Sequence, residues 1–435
     1  MKVVKFGGTS MATAESIGNV VSIINADKER RIVVVSAPGK RFKSDTKVTD
    51  LLYRAYAEKK ENGKVGAAFA EIRSRFTELV KELGLNFDIT PYLDKVEEGI
   101  NAAEKPDFAA SRGEYLSAVV TSAKLGFDFI DAADIIRFTN GVYDQRETEK
   151  LISKILPLKN NVVVPGFYGS EADGTIVTFS RGGSDVTGAI MAAYCGATIY
   201  ENWTDVSGFM TADPRIVENP VAMKELSYEE LRELSYMGAS VLHPESIFPV
   251  KDAGIPINIK NTFAPSDAGT MIVRERTDDN AGTVTGIAGH NGNTTIVIEK
   301  SMMNNEIGFV RKILTVLEDH GVSFEHMPTG IDTMSLVIPD AQLKEGAEQR
   351  LEEIKKAVSP DKIYAVSNLS LIAVVGKGMA KKVGTSGKIF GALSDAGVNI
   401  RMIDQGSSEM NIIVGVEDCD YEKAIKAVYD AFFRA

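Results

Sequence analysis

Residues 3–10 read VVKFGGTS. Val3, Val4 and Phe6 form an apolar run suited to a short buried strand, and residues 12–24 read as a helix. The two glycines therefore lie where a strand turns into a helix. Gly7 and Gly8 allow the backbone close to a ligand, the helix N-terminus offers free N–H groups, and Lys5 adds a point charge. Together these suit a phosphate. The same eight residues also read as a plain tight turn, with Thr9 or Ser10 as N-cap and Lys5 in water.

Working outward, strand-like runs at RIVVVSAPG (31–39), NVVVPGFYG (161–169) and ATIYENWTD (197–205) are separated by helical stretches, including 109–125 and 185–194. Alternation of this kind implies an α/β fold, a mainly parallel sheet sandwiched by helices. The charged stretch from about 60 to 108, broken at NFDITPY, reads as a surface helical layer. After the Gly- and Asn-rich NAGTVTGIAGHNGN (280–293) the pattern changes, and a domain boundary is set there.

Beyond it, GFVRKILTVLEDHGVSFEHM (308–327) recurs as GTSGKIFGALSDAGVNIRMI (384–403). Each copy is flanked by strands and followed by a helix, so two β-α-β-β-α units of ferredoxin-like type are expected. The expected domains are 1–289, 290–365 and 366–435. Phe309, Ile313, Leu314 and Leu317 make a core face that Ile389, Phe390 and Leu393 repeat. The glycines at 308, 321, 384 and 397 cap or open the helices, and the loop before each helix is a place for a small molecule.

The chain of 435 residues is long enough for two to four domains. With 49 Lys+Arg against 60 Asp+Glu, its net charge of −11 disfavours nucleic acid and anionic membranes as partners. Cys195 and Cys419 have no CxxC neighbours, so neither a disulfide framework nor a Cys-rich zinc site is expected. A strand follows Met1 directly and no run approaches a membrane span; the expected location is the cytoplasm. The four histidines form no HExxH, and GxGxxG, Walker A, HRD and DFG motifs are absent. Phosphate chemistry here must use another scaffold.

In TFSRGGSDVTGA (178–189), Arg181 suits bidentate capture of a carboxylate or phosphate, and Asp185, opening the next helix, suits Mg²⁺ beside phosphates. Ser184 or Asp185 as a simple N-cap is the alternative. In NWTDVSGFMTADPR (202–215) a strand ends at Thr204 and Asp205, and Asp213-Pro214-Arg215 fixes a turn with a cation, as a nucleotide would require. SRGE (111–114) puts Glu114 near a helix start, either capping it or gripping an ammonium group.

KFGGTS, SRGGSD, TDVSGFMTADPR and GASVLHP, in that order and followed by paired β-α-β-β-α units, resemble the aspartate kinases, which have the amino-acid kinase fold with tandem ACT domains. The resemblance covers nearly the whole chain. It implies ATP and Mg²⁺ as cofactors, L-aspartate as substrate and 4-phospho-L-aspartate as product. On matching positions it implies that Lys5, Gly7 and Gly8 hold ATP phosphates, and that Lys5, Arg181 and Asp185 serve catalysis, with Asp185 at the metal. Ser36 and Thr49 would touch substrate, Glu114 its ammonium and Arg181 a carboxylate, while Thr204, Asp205 and Arg215 would bind nucleotide.

It implies further an ACT-mediated homodimer or homotetramer, inhibited by an amino acid. Aligning the two copies sets Glu325 opposite Arg401. A carboxylate there favours lysine as effector, held also by the loop with Met303, Asn304, Gly308 and Phe309; threonine is the rival. Three positions depart from the family pattern: Met210 in place of an aromatic, Ser240 in place of a lysine, and a long basic loop at 39–47. Another amino-acid kinase, such as one for glutamate, and a non-catalytic amino-acid sensor are the alternatives.

Overall fold

The structure, a computed structural model, describes the whole chain except residues 157–159, 181, 240, 243, 277–281, 344–345 and 435, and the side chains of 244 and 245. Arg181 and Ser240 therefore lie outside the described residues. The chain packs as two compact units: Met1–Phe209, Ala222–Leu231 and Ser240–Asp279 form the first, and Met210–Val221, Arg232–Ala239 and Asn280–Ala435 the second.

The first unit is built on strands β1 (Lys2–Phe6), β2 (Arg30–Val35), β3 (Asp128–Phe129), β4 (Val162–Pro165), β5 (Ile199–Thr204), β6 (Glu225–Ser227), β7 (Ile257–Asn261) and β8 (Thr270–Val273). Their order in the sheet is β6-β8-β7-β5-β1-β2-β4-β3. All neighbours are parallel except β7 and β8. A parallel sheet covered on both faces needs continuous apolar strands. Val3, Val4, Phe6, Val33, Val34 and Val35 supply them, each fully buried.

Helix α1 (Ala14–Asn25) is capped by Thr13, whose side chain accepts the Ser16 N–H. Between β2 and β3 stands a helical layer of α2 (Val48–Asn62), α3 (Ala67–Glu82), α4 (Thr90–Ala102) and α5 (Pro106–Leu125). Pro106 starts α5 at its first turn, where a missing N–H costs nothing. Glu114 is therefore more than two turns inside this helix, not near its start, and N-capping is excluded as its role. The run 109–121 within α5 is buried throughout. After β4 comes α6 (Gly183–Tyr194), entered through Gly182 at φ 57°.

The second unit carries β9 (Gly286–Glu299), α7 (Phe309–Asp319), β10 (Thr333–Pro339), α8 (Ala347–Val358), β11 (Lys362–Val375), α9 (Thr385–Asp395), β12 (Met402–Asp404), β13 (Asn411–Glu417) and α10 (Tyr421–Tyr429). Its sheet has the order β10-β9-β11-β13-β12, all antiparallel. The long strand β9 serves both repeats. Its first part, Gly286 to His290, pairs with Val375 to Leu371, while Thr295 to Glu299 pair with Val366 to Lys362, with the register shifting between.

Two apolar cores follow from this exchange. Ile296, Ile298, Phe309, Ile313, Leu317 and Leu336 share one, whereas Val284 and Ile287 join Ile372, Ile389, Leu393 and Val414 in the other. A cut at 289 or 290 would divide β9 and remove an edge strand from the second repeat. The segment Met210–Val221 also packs here: Thr211 O accepts the Ile287 N–H at 2.8 Å, and Ala212 and Val217 lie in the second core. The compositional change near 280 marked where the repeats begin but could not reveal these contributions from earlier in the chain.

Candidate active site and effector loop

Lys5 stands in β1 opposite Val34 of β2 and Asn202 of β5. Only 7 % exposed, it reaches beneath the glycine turn, and a Cβ on Gly7 would lie 3.8 Å from its Nζ. Its Nζ meets Asp185 Oδ1 at 2.5 Å, in the first turn of α6. Asn202 Nδ2 donates to the same oxygen at 2.9 Å, and the Tyr200 hydroxyl donates to the Asp185 carbonyl at 3.2 Å. Two parallel strands and the start of one helix thus converge on a buried ion pair. Such a pair is no strong source of stability. It does hold a cation ready where an anion could replace its partner.

The glycines are required by how closely chains approach. The Gly7 N–H donates to Trp203 O at 2.9 Å and the Gly39 N–H to Gly8 O at 2.8 Å. A Cβ on Gly8 would sit 3.0 Å from Ala37 O, tighter than nearly all real contacts. A 3₁₀ turn, Gly8–Met11, rather than a direct helix start, leads from the strand toward α1.

Ser36 follows β2 half-exposed, with its N–H on Phe6 O at 3.1 Å, and half-buried Thr49 lies in the first turn of α2. Glu114 approaches this region because α5 lies very close to Ala37: a Cβ on Gly113 would be 2.6 Å from Ala37 Cβ. The Glu114 side chain is buried and its Oε2 has no hydrogen-bond partner. Burial pushes its carboxyl up to about 8, against the Ala37 N–H and the charges of Arg112 and Lys5, which favour the anion. An unpaired acceptor in a dry place is costly until a donor arrives. An ammonium group fits that need.

Thr204 and Asp205 lie together at the end of β5, with Thr204 Oγ1 3.2 Å from Asp205 Oδ1 and Thr9 Oγ1 donating to Asp205 Oδ2 at 3.1 Å. The glycine turn and the exposed strand end are thereby joined. Arg215 belongs to the second packing unit, is 86 % exposed in its side chain, and pairs with Asp213 at 2.6 Å. Met210 is half-buried in that same unit. Sequence reasoning missed Asn202, Tyr200 and Gly39. A polar Asn in the middle of an otherwise buried strand was the available signal for the first; Tyr200 acts through an ordinary core position.

In the second unit, Met303 and Phe309 are buried, Asn304 is exposed, and Gly308 opens α7 at φ 81°. Glu306 in this loop bridges Lys300 at 2.5 Å and Lys312 at 2.7 Å. Glu325 is half-buried, its N–H on Val337 O at 2.8 Å. Partial burial and the Glu325 carboxylate together push the Tyr236 phenol up to about 12. Arg401, the aligned position in the other repeat, is paired with Glu417.

The chain matches the amino acid kinase family over residues 1–261 and an ACT domain over 372–432. It is 38 % identical to aspartokinase 3 of Bacillus subtilis, over the whole chain and 99 % of that protein. The chain belongs to the aspartokinases. The crystal structure of the Clostridium acetobutylicum aspartate kinase covers 99 % of this aspartokinase and 100 % of its own chain, at 53 % identity and a TM-score of 0.94. Aspartokinase III of Escherichia coli, 25 % identical, has been solved with aspartate and ADP and also with lysine and aspartate. Their TM-scores are 0.78 and 0.79; each match covers all of this chain, with 100 % of the first structure's own chain and 99 % of the second's. Among the described residues no helix is long and apolar enough to cross a membrane.

Proposed function

We propose that this aspartokinase transfers the γ-phosphoryl group of Mg-ATP to the side-chain carboxylate of L-aspartate, with Lys5 as the residue that neutralises the transferring group. The observation that carries the reading is the buried Lys5 beneath the Gly7–Gly8 turn, ion-paired with Asp185, with the buried Glu114 carboxyl nearby, whose Oε2 has no hydrogen-bond partner. The acceptor carboxylate is ionised at neutral pH, so no general base is needed. Transfer then depends on positioning and on neutralising charge.

Within this reading Gly7 and Gly8 admit the phosphates, Thr204 and Asp205 bind the nucleoside side, and Arg215 contributes a further cation. Ser36 and Thr49 contact aspartate, Glu114 takes its ammonium and Arg181 its carboxylate. Among the described residues no group of three or more His, Cys, Asp or Glu could hold a metal alone. That suits Mg²⁺, which is held by one or two carboxylates together with substrate phosphates. Asp185 would hold it, and the ion would supply charge neutralisation. The enzyme works in the cytoplasm as an ACT-linked homodimer or homotetramer, with lysine as inhibitor and Glu325 as the residue that reads its side-chain ammonium.

ADP release with Mg-ATP across a panel of amino acids tests the reaction. Turnover with L-aspartate and far slower turnover with L-glutamate is expected. A single methylene changes binding only about 10- to 200-fold, and displacement of the acceptor oxygen adds to that. Equal rates with both acids would overturn the assignment.

A further inference from the structure

The loop 39–47 carries Lys40, Arg41, Lys43 and Lys47 and lies between Ser36 and Thr49. Its two ends are tied to α3. Arg75, 5 % exposed, donates from Nη1 to Thr46 O at 2.9 Å and from Nη2 to Gly39 O. Asp45, equally buried, lies 3.4 Å from Arg75 Nη1 and accepts the Arg41 backbone N–H and Nε, each at 2.9 Å. The Arg41 guanidinium, outweighing burial, holds the Asp45 carboxyl well below the usual range.

The ties continue into the phosphate turn. The Gly39 N–H donates to Gly8 O at 2.8 Å, and a Cβ on Gly39 would fall 2.9 Å from the Gly8 carbonyl carbon. The Val48 N–H closes the loop's neck on Pro38 O at 3.3 Å. Hydrogen bonds therefore run unbroken from Arg75 through Gly39 to Gly8. An apolar anchor could fasten a loop to α3, but a planar guanidinium also presents fixed donors to two carbonyls at once.

We propose that Arg75 is a positioning residue for substrate binding: by clamping both ends of loop 39–47 it sets Gly8 and Ser36 on one side and Thr49 on the other. This rests on the reading above that those residues meet the substrates. Arg73 provides a matched control, since it lies on the same helix and pairs instead with Asp94 and Glu97 of α4.

The experiment is steady-state kinetics of Arg75→Met, Arg75→Lys, Gly39→Ala and Arg73→Met, with folding checked by circular dichroism. Arg75→Met and Gly39→Ala should each raise the KM for aspartate or ATP by about 10-fold or more, with Arg75→Lys recovering part of the loss. Arg73→Met should stay within about twofold. A folded Arg75→Met that melts earlier but keeps both KM values within about twofold overturns the proposal, because the clamp would then serve stability alone. Should that variant not fold, Arg75→Lys and Gly39→Ala decide, and normal KM values in both overturn it. Failure of the wild-type protein to use aspartate is a separate result, counting against the assigned reaction.

Discussion

Two of the glycine turns that precede helices in this chain, at Gly7–Gly8 and at Gly308, differ in how completely they are enclosed. The first lies over a buried Lys5 whose partner is fixed by Asn202, and is backed by Gly39 and Ala37. The second lies in an open loop where Ile307 is 99 % exposed and Met302 67 % exposed. In the other repeat Val383, at the position aligned with Ile307, is also 99 % exposed. Enclosure gives fixed geometry, which phosphoryl transfer requires. An open turn flanked by exposed apolar residues suits a site that is completed only when another surface covers it, as the proposed ACT-mediated assembly would do.

The largest expected effect bears on the enclosed turn. Lys5→Ala removes a preorganised charge from where negative charge gathers, a loss of about 10²- to 10³-fold in kcat by analogy with other such donors. The KM for aspartate should move far less. Near-normal kinetics in a folded Lys5→Ala protein would reduce VVKFGGTS to an ordinary turn and remove the contrast between the two loops.

Glu114 sharpens the comparison through pH. Its carboxyl is pushed up to about 8 by burial, so in the empty site it is largely protonated at neutral pH. Binding an ammonium group requires the anion, and the KM for aspartate should therefore fall as pH rises toward 8. Glu114→Gln should raise that KM by about 10- to 100-fold, the loss of a charged hydrogen bond worth roughly 1.5 to 3 kcal/mol. It should also flatten the pH dependence.

Stability should move the opposite way. With its folded value raised, the native state binds more protons at Glu114 than the unfolded chain does, so stability is lost as pH rises from about 4.5 to about 8. Glu114→Gln removes that cost, on the order of a few kcal/mol at pH 8. A higher melting temperature joined to a weaker substrate grip is the expected outcome. Unchanged melting across pH 5 to 8 would mean that Glu114 is already solvated.

What was legible in the sequence follows the same division. The parallel sheet could be read because its strands are buried on both faces and appear as uninterrupted apolar runs, as in residues 32–35. The repeat could be read because its glycines recur with its core face. The exchange of β9 between repeats could not, since its first half lies in the Gly- and Asn-rich stretch that reads as a boundary and only its pairing reveals it as a strand. Lys5 and Asp185 could be named separately, but their contact spans 180 positions and depends on the register of β1 against β5. The depth of Glu114 in α5 was misread because the helical stretch was expected to begin at 109, whereas it begins at Pro106.

The smallest expected effect concerns the open loop. If Glu325 reads the ammonium of lysine, Glu325→Ala should weaken lysine inhibition by about 10-fold while uninhibited kcat stays within about twofold. The contrast with Arg401 makes the test specific, because that aligned residue is occupied by Glu417 and offers no free carboxylate. Glu325 also has Tyr236 as a neighbour, so an arriving ammonium must compete with a phenol hydroxyl already in place. Tyr236→Phe should therefore strengthen lysine inhibition by a fewfold, the opposite sign from Glu325→Ala. Titrating lysine and threonine separately, by activity and by calorimetry, distinguishes the outcomes. Threonine inhibition without lysine binding, or one unaltered lysine response in both variants, would leave Glu325 as an ordinary surface carboxylate and place the effector elsewhere on the open turn.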